Sequence, residues 1–264
     1  MQKILVGETL DDRYKILDLI GKGKSGFVYK AEQTKFNRPV AVKVLHDHLL
    51  GSQESVKRFQ REAEAISKLR HGSLLEIIDF GFTQDKQPYM VTELLEGVSL
   101  EDVFISKKLF ELEQTIQIFK QICAALAVAH SQKIIHRDIK PSNIILIKNK
   151  EGRIVPKVID FGMVKFLDAE DKTQLTQMGS IKGAPKFISP EQLTGKPVDP
   201  RSDVYSLGCV LYQALSGQAP FEGDDITDLL FKHVKEPAPS LSRFNMPESL
   251  DNVVLMSLAK SQDD

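Results

Sequence analysis

LIGKGKSGFVYK, residues 19–30, decides between three folds. Gly23, Lys24 and Ser25 supply the end of the phosphate-loop motif G-x-x-x-x-G-K-S, but Asp18 stands where that motif needs its first glycine. Gly21, Gly23 and Gly26 also spell G-x-G-x-x-G, a pattern shared by dinucleotide-binding turns and by glycine flaps over nucleotides. The first two kinds of loop open a helix whose N-terminal amides hold phosphate. Here "FVYKAEQ" after Gly26 alternates apolar with polar and is rich in β-branched and aromatic residues, and "YKILDLI" before the glycines is strand-like too. The glycines therefore join two strands of a hairpin, and of the three only the flap fits.

At 264 residues the chain is long enough for a sizeable core and for two lobes. A net charge of −1 argues against a general nucleic-acid or acidic-membrane binder. Cys123 and Cys209 fall inside apolar helical patterns, away from metal-ligand spacing, which predicts two reduced core thiols in the cytoplasm. No apolar run approaches a membrane span and the N-terminus lacks the blocks of a signal peptide, so a soluble protein is expected.

The pattern changes along the chain. The first ninety or so residues are strand-rich, with "RPVAVKVL" and "QPYMVTELL" as further strands and the helix "SQESVKRFQREAEAISKL" between them. From about Leu109 the chain is mainly helical, with "ELEQTIQIFKQICAALAVAHSQ" amphipathic and "SDVYSLGCVLYQALSG" almost wholly apolar. "ELLEG", Glu93 to Gly97, is the hinge between the regimes, which predicts an α+β chain of two parts, 1–94 and 95–264.

Three constellations carry chemistry. In the first helix Glu62 lies beside the apolar stripe of Val56, Phe59, Ala63, Ile66 and Leu69, where a carboxylate needs a cation, and the strand "VAVKVL" offers Lys43. The alternative is a pair of solvated surface charges. "IIHRDIKPSNIILI", residues 134–147, packs His136, Arg137, Asp138, Lys140 and Asn143 between apolar runs. This set suits phosphoryl transfer: a carboxylate to accept a hydroxyl proton, a cation for the moving phosphoryl and an amide oxygen for magnesium. Seventeen residues beyond Asn143, "KVIDFG" ends a short strand on Asp160, a hard metal ligand.

With these motifs in this order the chain resembles a eukaryotic-type (Hanks-type) Ser/Thr protein kinase domain, from about Asp12 onward. "SPEQL" and "DPRSDVYSLGCVLYQALSGQAPF" are similar to the bacterial branch. The resemblance implies a two-lobed fold, with a β-rich lobe carrying one key helix and a larger helical lobe. It implies ATP and Mg, with Gly21, Gly23, Gly26 and Val28 in the flap, and Lys43 on the α and β phosphates and paired with Glu62. Asp138 would be the base, Lys140 would contact the γ-phosphate, and Asn143 with Asp160 would bind magnesium. Val28, Ala41 and Ile145 would hold adenine, Thr92 would be the gatekeeper, and the backbone from Glu93 to Leu95 would bond the adenine edge. Asp203 would anchor the catalytic loop, although by position alone it reads equally as a helix cap. His136 and Phe161 would stack.

Protein substrates with Ser or Thr follow from the resemblance, as does self-association for autophosphorylation at Thr176 or Ser180, which Arg137 would bind; no nucleic-acid or membrane partner does. Two departures stand out. Ala184 occupies a position usually held by threonine, which keeps open a pseudokinase that binds nucleotide without turnover. The arginine expected to pair with Glu191 is absent up to the final "LAKSQDD". A small-molecule phosphotransferase is a third reading, weakened by "SPEQL", which resembles part of a peptide-docking loop.

Overall fold

The computed structural model describes residues 5–23, 26–46, 53–161 and 186–263. The described residues form two compact units, one ending at Glu96 and the other beginning at Gly97. No described helix is long and apolar enough to cross a membrane.

In the first unit an antiparallel sheet runs β1-β2-β3-β4-β6-β5, from β1 (Thr9–Leu10), β2 (Tyr14–Gly23), β3 (Gly26–Gln33), β4 (Arg38–Leu45), β5 (Ile77–Phe82) and β6 (Pro88–Glu93). Helix α1 (Gln53–Ser67) connects β4 to β5. Alternation sorts the side chains to two faces. Tyr29, Ala31, Val40, Val42, Val44, Tyr89 and Val91 share a buried cluster with Tyr14 and Ile16. Two of the three tyrosine hydroxyls in this core end on carboxylates, Tyr14 donating to Asp79 at 2.7 Å and Tyr89 donating to Asp11, so these two rings are buried without an orphaned polar tip. Helix α1 packs against β5, where Phe59 meets Phe80 and Phe82 edge-on at 6.5 and 5.9 Å.

The second unit contains β7 (Gly97–Ser99), α2 (Leu100–Ile105), α3 (Leu112–Ser131), β8 (Ile144–Lys148), β9 (Ile154–Val158), α4 (Pro190–Thr194), α5 (Pro200–Ser216), α6 (Ile226–Lys235) and α7 (Glu248–Ser257). Its three strands form an antiparallel sheet in the order β7-β8-β9. A Cβ at Gly97 would strike the Leu146 carbonyl oxygen, so only glycine lets β7 lie this close to β8. Asp199 caps α5 by accepting from Arg201 N, Pro200 fits its first turn, and Gly217 ends it at φ 77°.

Helix α5 is buried along most of its length, as its apolar sequence requires, and Cys209 is among its buried residues. Cys123 departs from the expectation of a core thiol: it is exposed. The buried stripe of α3 runs through Thr115, Ile118, Phe119, Ile122, Ala125, Leu126 and Ala129, and residue 123 falls one step off it.

The core around α5 holds an uncommon polar chain. Lys260 Nζ donates to Tyr205 Oη at 3.0 Å and to the His233 carbonyl at 2.9 Å, and Tyr205 Oη lies 3.1 Å from His233 Nδ1. His233 is fully buried, and burial together with the nearby Lys260 cation pulls its pKa down to about 4. Among the described residues its Nε2 has no hydrogen-bond partner. In the unfolded chain the imidazole titrates near 6.5. Between these values only the unfolded state takes up the proton, so stability falls as pH drops from about 6.5 to 4 by about 1.4 kcal/mol per unit from this group, and the group adds no pH dependence above 6.5. Urea unfolding at pH 7.5, 6, 5 and 4.5 should give a shallower acid slope for His233→Gln than for wild type. Parallel slopes would contradict the assignment.

Candidate active site

The register of the first sheet collects most of the expected nucleotide residues on one face. Val28 pairs with Lys43, Lys43 with Met90, and Ala41 with Thr92, and directly paired residues point the same way. Val28, Ala41, Lys43 and Thr92 therefore share the face opposite the Tyr29–Val42 core. Phe80 pairs with Met90 and so lies on that face as well, which puts α1, with half-buried Glu62, on the Lys43 side of the sheet.

Gly21 pairs with Val28 and Gly23 with Gly26, so the flap is the β2–β3 turn. At Gly26 φ is 154° and a Cβ would run into the Val44 carbonyl oxygen, so a side chain there would open the β3–β4 pairing. Thr92 is buried and its Oγ1 donates to the Glu93 carbonyl at 3.1 Å. Glu93 donates its amide to the Glu76 carbonyl and accepts from Glu76 N at 2.9 Å. Leu95 is half-buried in the segment after β6.

The second unit brings the loop residues together. Lys140 Nζ donates to Asp138 Oδ2 at 2.7 Å, and Asn143 Nδ2 donates to Asp138 O at 2.8 Å and to Oδ2 at 3.0 Å. With Lys140 40% and Asp138 31% exposed, such a pair contributes at most about 1 kcal/mol, so it orients more than it stabilises. The Asn143 carbonyl accepts from Ile159 N at 2.9 Å, which ties the loop to the residue before Asp160. Asp160 itself sits at φ 58°. Ile145 is half-buried on β8, paired with Ser99 and Lys157.

Beneath this loop lies Asp203, which is only 1% exposed. Its Oδ2 accepts from His136 N and its Oδ1 from Arg137 N, each at 2.8 Å, and His130 Nε2 donates to Oδ2 at 2.7 Å. Position alone allowed a helix cap, but Asp199 performs that task and Asp203 turns inward to the loop backbone. His136 is fully buried, and burial lowers its pKa. One neutral tautomer satisfies both its nitrogens: Nε2–H donates to the Ile159 carbonyl at 2.9 Å while Nδ1 accepts from Asp138 N at 3.3 Å. Its ring lies 4.6 Å from that of Phe161.

Sequence reasoning missed His130, whose signal was weak: a single polar ring in the last turn of an apolar helix. It also sought a cation for Glu191, whereas the Ser202 hydroxyl donates to that buried carboxylate. Thr176, Ser180 and Ala184 lie outside the described residues.

The model of the protein kinase domain matches residues 14–256. The chain belongs to the protein kinase domain family. This kinase domain is 39% identical over 258 residues to a probable serine/threonine-protein kinase of Clostridium perfringens. It is 36% identical over 259 residues to the serine/threonine-protein kinase PrkC of Bacillus subtilis, and 38% identical over 261 residues to PknB of Mycolicibacterium smegmatis. Each match takes in 97% of this chain, which spans 36%, 39% and 41% of those relatives' own lengths. The solved kinase domain of Mycobacterium tuberculosis PknI is similar with a TM-score of 0.75 at 25% identity, over 99% of this chain and 93% of that one. The two-part α+β fold is thus that of protein kinases.

Asp203→Ala would remove one acceptor from two backbone amides and from His130. A buried amide left without its acceptor costs roughly 1–3 kcal/mol. Urea unfolding of wild type and variant measures it, and a loss below about 1 kcal/mol would mean that water or a neighbour replaces the carboxylate.

Proposed function

We propose that this domain transfers the γ-phosphoryl of ATP, with magnesium, to Ser or Thr hydroxyls of proteins. The observation that carries the reading is the Asp138 carboxylate, which holds Lys140 Nζ and Asn143 Nδ2 while the preceding backbone is fixed on Asp203. Asp138 accepts the hydroxyl proton, and Lys140, already beside it, moves to the γ-phosphate when ATP is bound. Lys43 holds the α and β phosphates and pairs with Glu62, a pairing supported by α1 lying on the Lys43 side of the sheet. Gly21, Gly23, Gly26 and Val28 cover the phosphates. Val28, Ala41 and Ile145 supply apolar contacts to adenine, Thr92 limits the depth of its pocket, and backbone groups from Glu93 to Leu95 bond its edge.

The donor set suits magnesium. Both contacts of the Asn143 amide nitrogen go to Asp138, so its Oδ1, which accepts no hydrogen bond among the described residues, is available as a hard oxygen ligand alongside the Asp160 carboxylate. Two side-chain oxygens plus phosphates are the usual holders of this ion. Magnesium supplies neutralisation of the phosphate charge; the chain's own groups orient the nucleotide and take the proton.

Autophosphorylation at Thr176 or Ser180, with Arg137 as the phosphate's partner, belongs to the same proposal, as does a cytoplasmic site of action where ATP is at hand. The pseudokinase reading rests on Ala184 and on the missing arginine partner of Glu191, a carboxylate that Ser202 serves instead. For Asp138→Asn, single-turnover transfer to a protein substrate should fall at least a thousandfold while ATP affinity stays within about threefold, since Lys43, Asn143 and Asp160 remain. Lys43→Met should lose transfer and ATP affinity together. Wild-type turnover in Asp138→Asn would overturn the assignment.

A further inference from the structure

Gln192, the third residue of α4, faces two ways. Its Oε1 accepts from Ser189 N at 3.4 Å and from Ser189 Oγ at 3.1 Å, closing a reciprocal cap at the start of the helix. Its Nε2 donates to the Arg137 carbonyl at 2.9 Å, across 55 residues of sequence. Chemistry fixes this orientation of the amide, because a backbone N–H only donates and a backbone carbonyl only accepts.

The bonded carbonyl belongs to the peptide that joins Arg137 to Asp138. That peptide's N–H, on Asp138, reaches His136 Nδ1 at 3.3 Å, and the peptide before it is held through Arg137 N on Asp203. Arg137 sits at φ 65°, a left-handed conformation that costs an ordinary residue about 1 kcal/mol or more and persists only where its surroundings hold it. A peptide is planar, so fixing its oxygen on one side and its hydrogen on the other sets the direction in which the Asp138 Cα and carboxylate leave it.

We propose that Gln192 is a positioning residue for Asp138: its side-chain amide pins the Arg137–Asp138 peptide and couples helix α4 to the loop that carries the base. This rests on the reading of Asp138 as the catalytic base. A shift of the loop by a fraction of an ångström leaves ATP bound but misaligns the carboxylate with the hydroxyl it must deprotonate.

Gln192→Glu separates this role from helix capping, because a carboxylate still accepts from Ser189 but cannot donate to Arg137 O. Ser189→Ala is the counterpart, weakening the cap while leaving the Gln192 amide against Arg137. The expected result is a kcat for a protein substrate lowered roughly ten- to a hundredfold in Gln192→Glu, with KM for ATP and the unfolding midpoint near wild type. Ser189→Ala should lose stability and keep most of its kcat. Should Gln192→Glu fail to fold, Gln192→Met is measured the same way. Wild-type kcat in the folded Gln192 variant beside an inactive Asp138→Asn overturns the proposal and leaves the catalytic reading standing. Equal kcat losses in the Gln192 and Ser189 variants also overturn it, since the cap would then be the cause. Turnover by Asp138→Asn instead brings down the reading on which both rest.

Discussion

A carboxylate excluded from water must gather donors, and Asp203 gathers three: the amides of His136 and Arg137 and the ring of His130. The loop amides could be satisfied by strand pairing in many geometries, but two of them converging on one carboxylate fix a single turn. Arg137 can then be held at positive φ, Asp138 can project its carboxylate beside Lys140 and Asn143, and Asn143 can bond the strand end that delivers Asp160. Helix α5 is the base for all of this. Its burial gives the rigid element, and its first turn places Asp203 where the loop needs a charge.

The first unit solves a different problem with one sheet. Alternation along β3, β4 and β6 puts a tyrosine- and valine-rich set on one side and Val28, Ala41, Lys43 and Thr92 on the other. Residues of unlike chemistry, two apolar, one cationic and one hydroxylic, are held in fixed order at strand spacing. A one-residue slip in register would exchange the two sets, which is why the core side, with Tyr29, Val42 and Tyr89 fully buried, matters to the opposite face.

Much of this was legible in the sequence because the signals were local. The glycine hairpin, the Lys43 strand, the apolar α5 and the loop from His136 to Asn143 each announce themselves within a dozen residues. What was not legible depends on partners far apart along the chain. Nothing near His130 points to Asp203, 73 residues away, and nothing near Gln192 points to Arg137. The short strands β7 and β8 escaped notice because three to five residues carry too little periodicity, and a carboxylate such as Glu191 looked in need of a cation when a serine in the first turn of α5 was enough. Cys123 erred the other way, an apolar neighbourhood in sequence that one step around α3 turns toward solvent.

The account stands or falls on phosphoryl transfer by the loop that Asp203 holds. The most direct measurement incubates the chain with γ-labelled ATP and a mixed protein substrate, with magnesium or with a chelator, and identifies the labelled residues after acid hydrolysis. Label on phosphoserine and phosphothreonine that needs magnesium is the result the account predicts. Nucleotide bound with no label transferred to any protein, the chain itself included, would contradict it and leave a nucleotide-binding scaffold in its place.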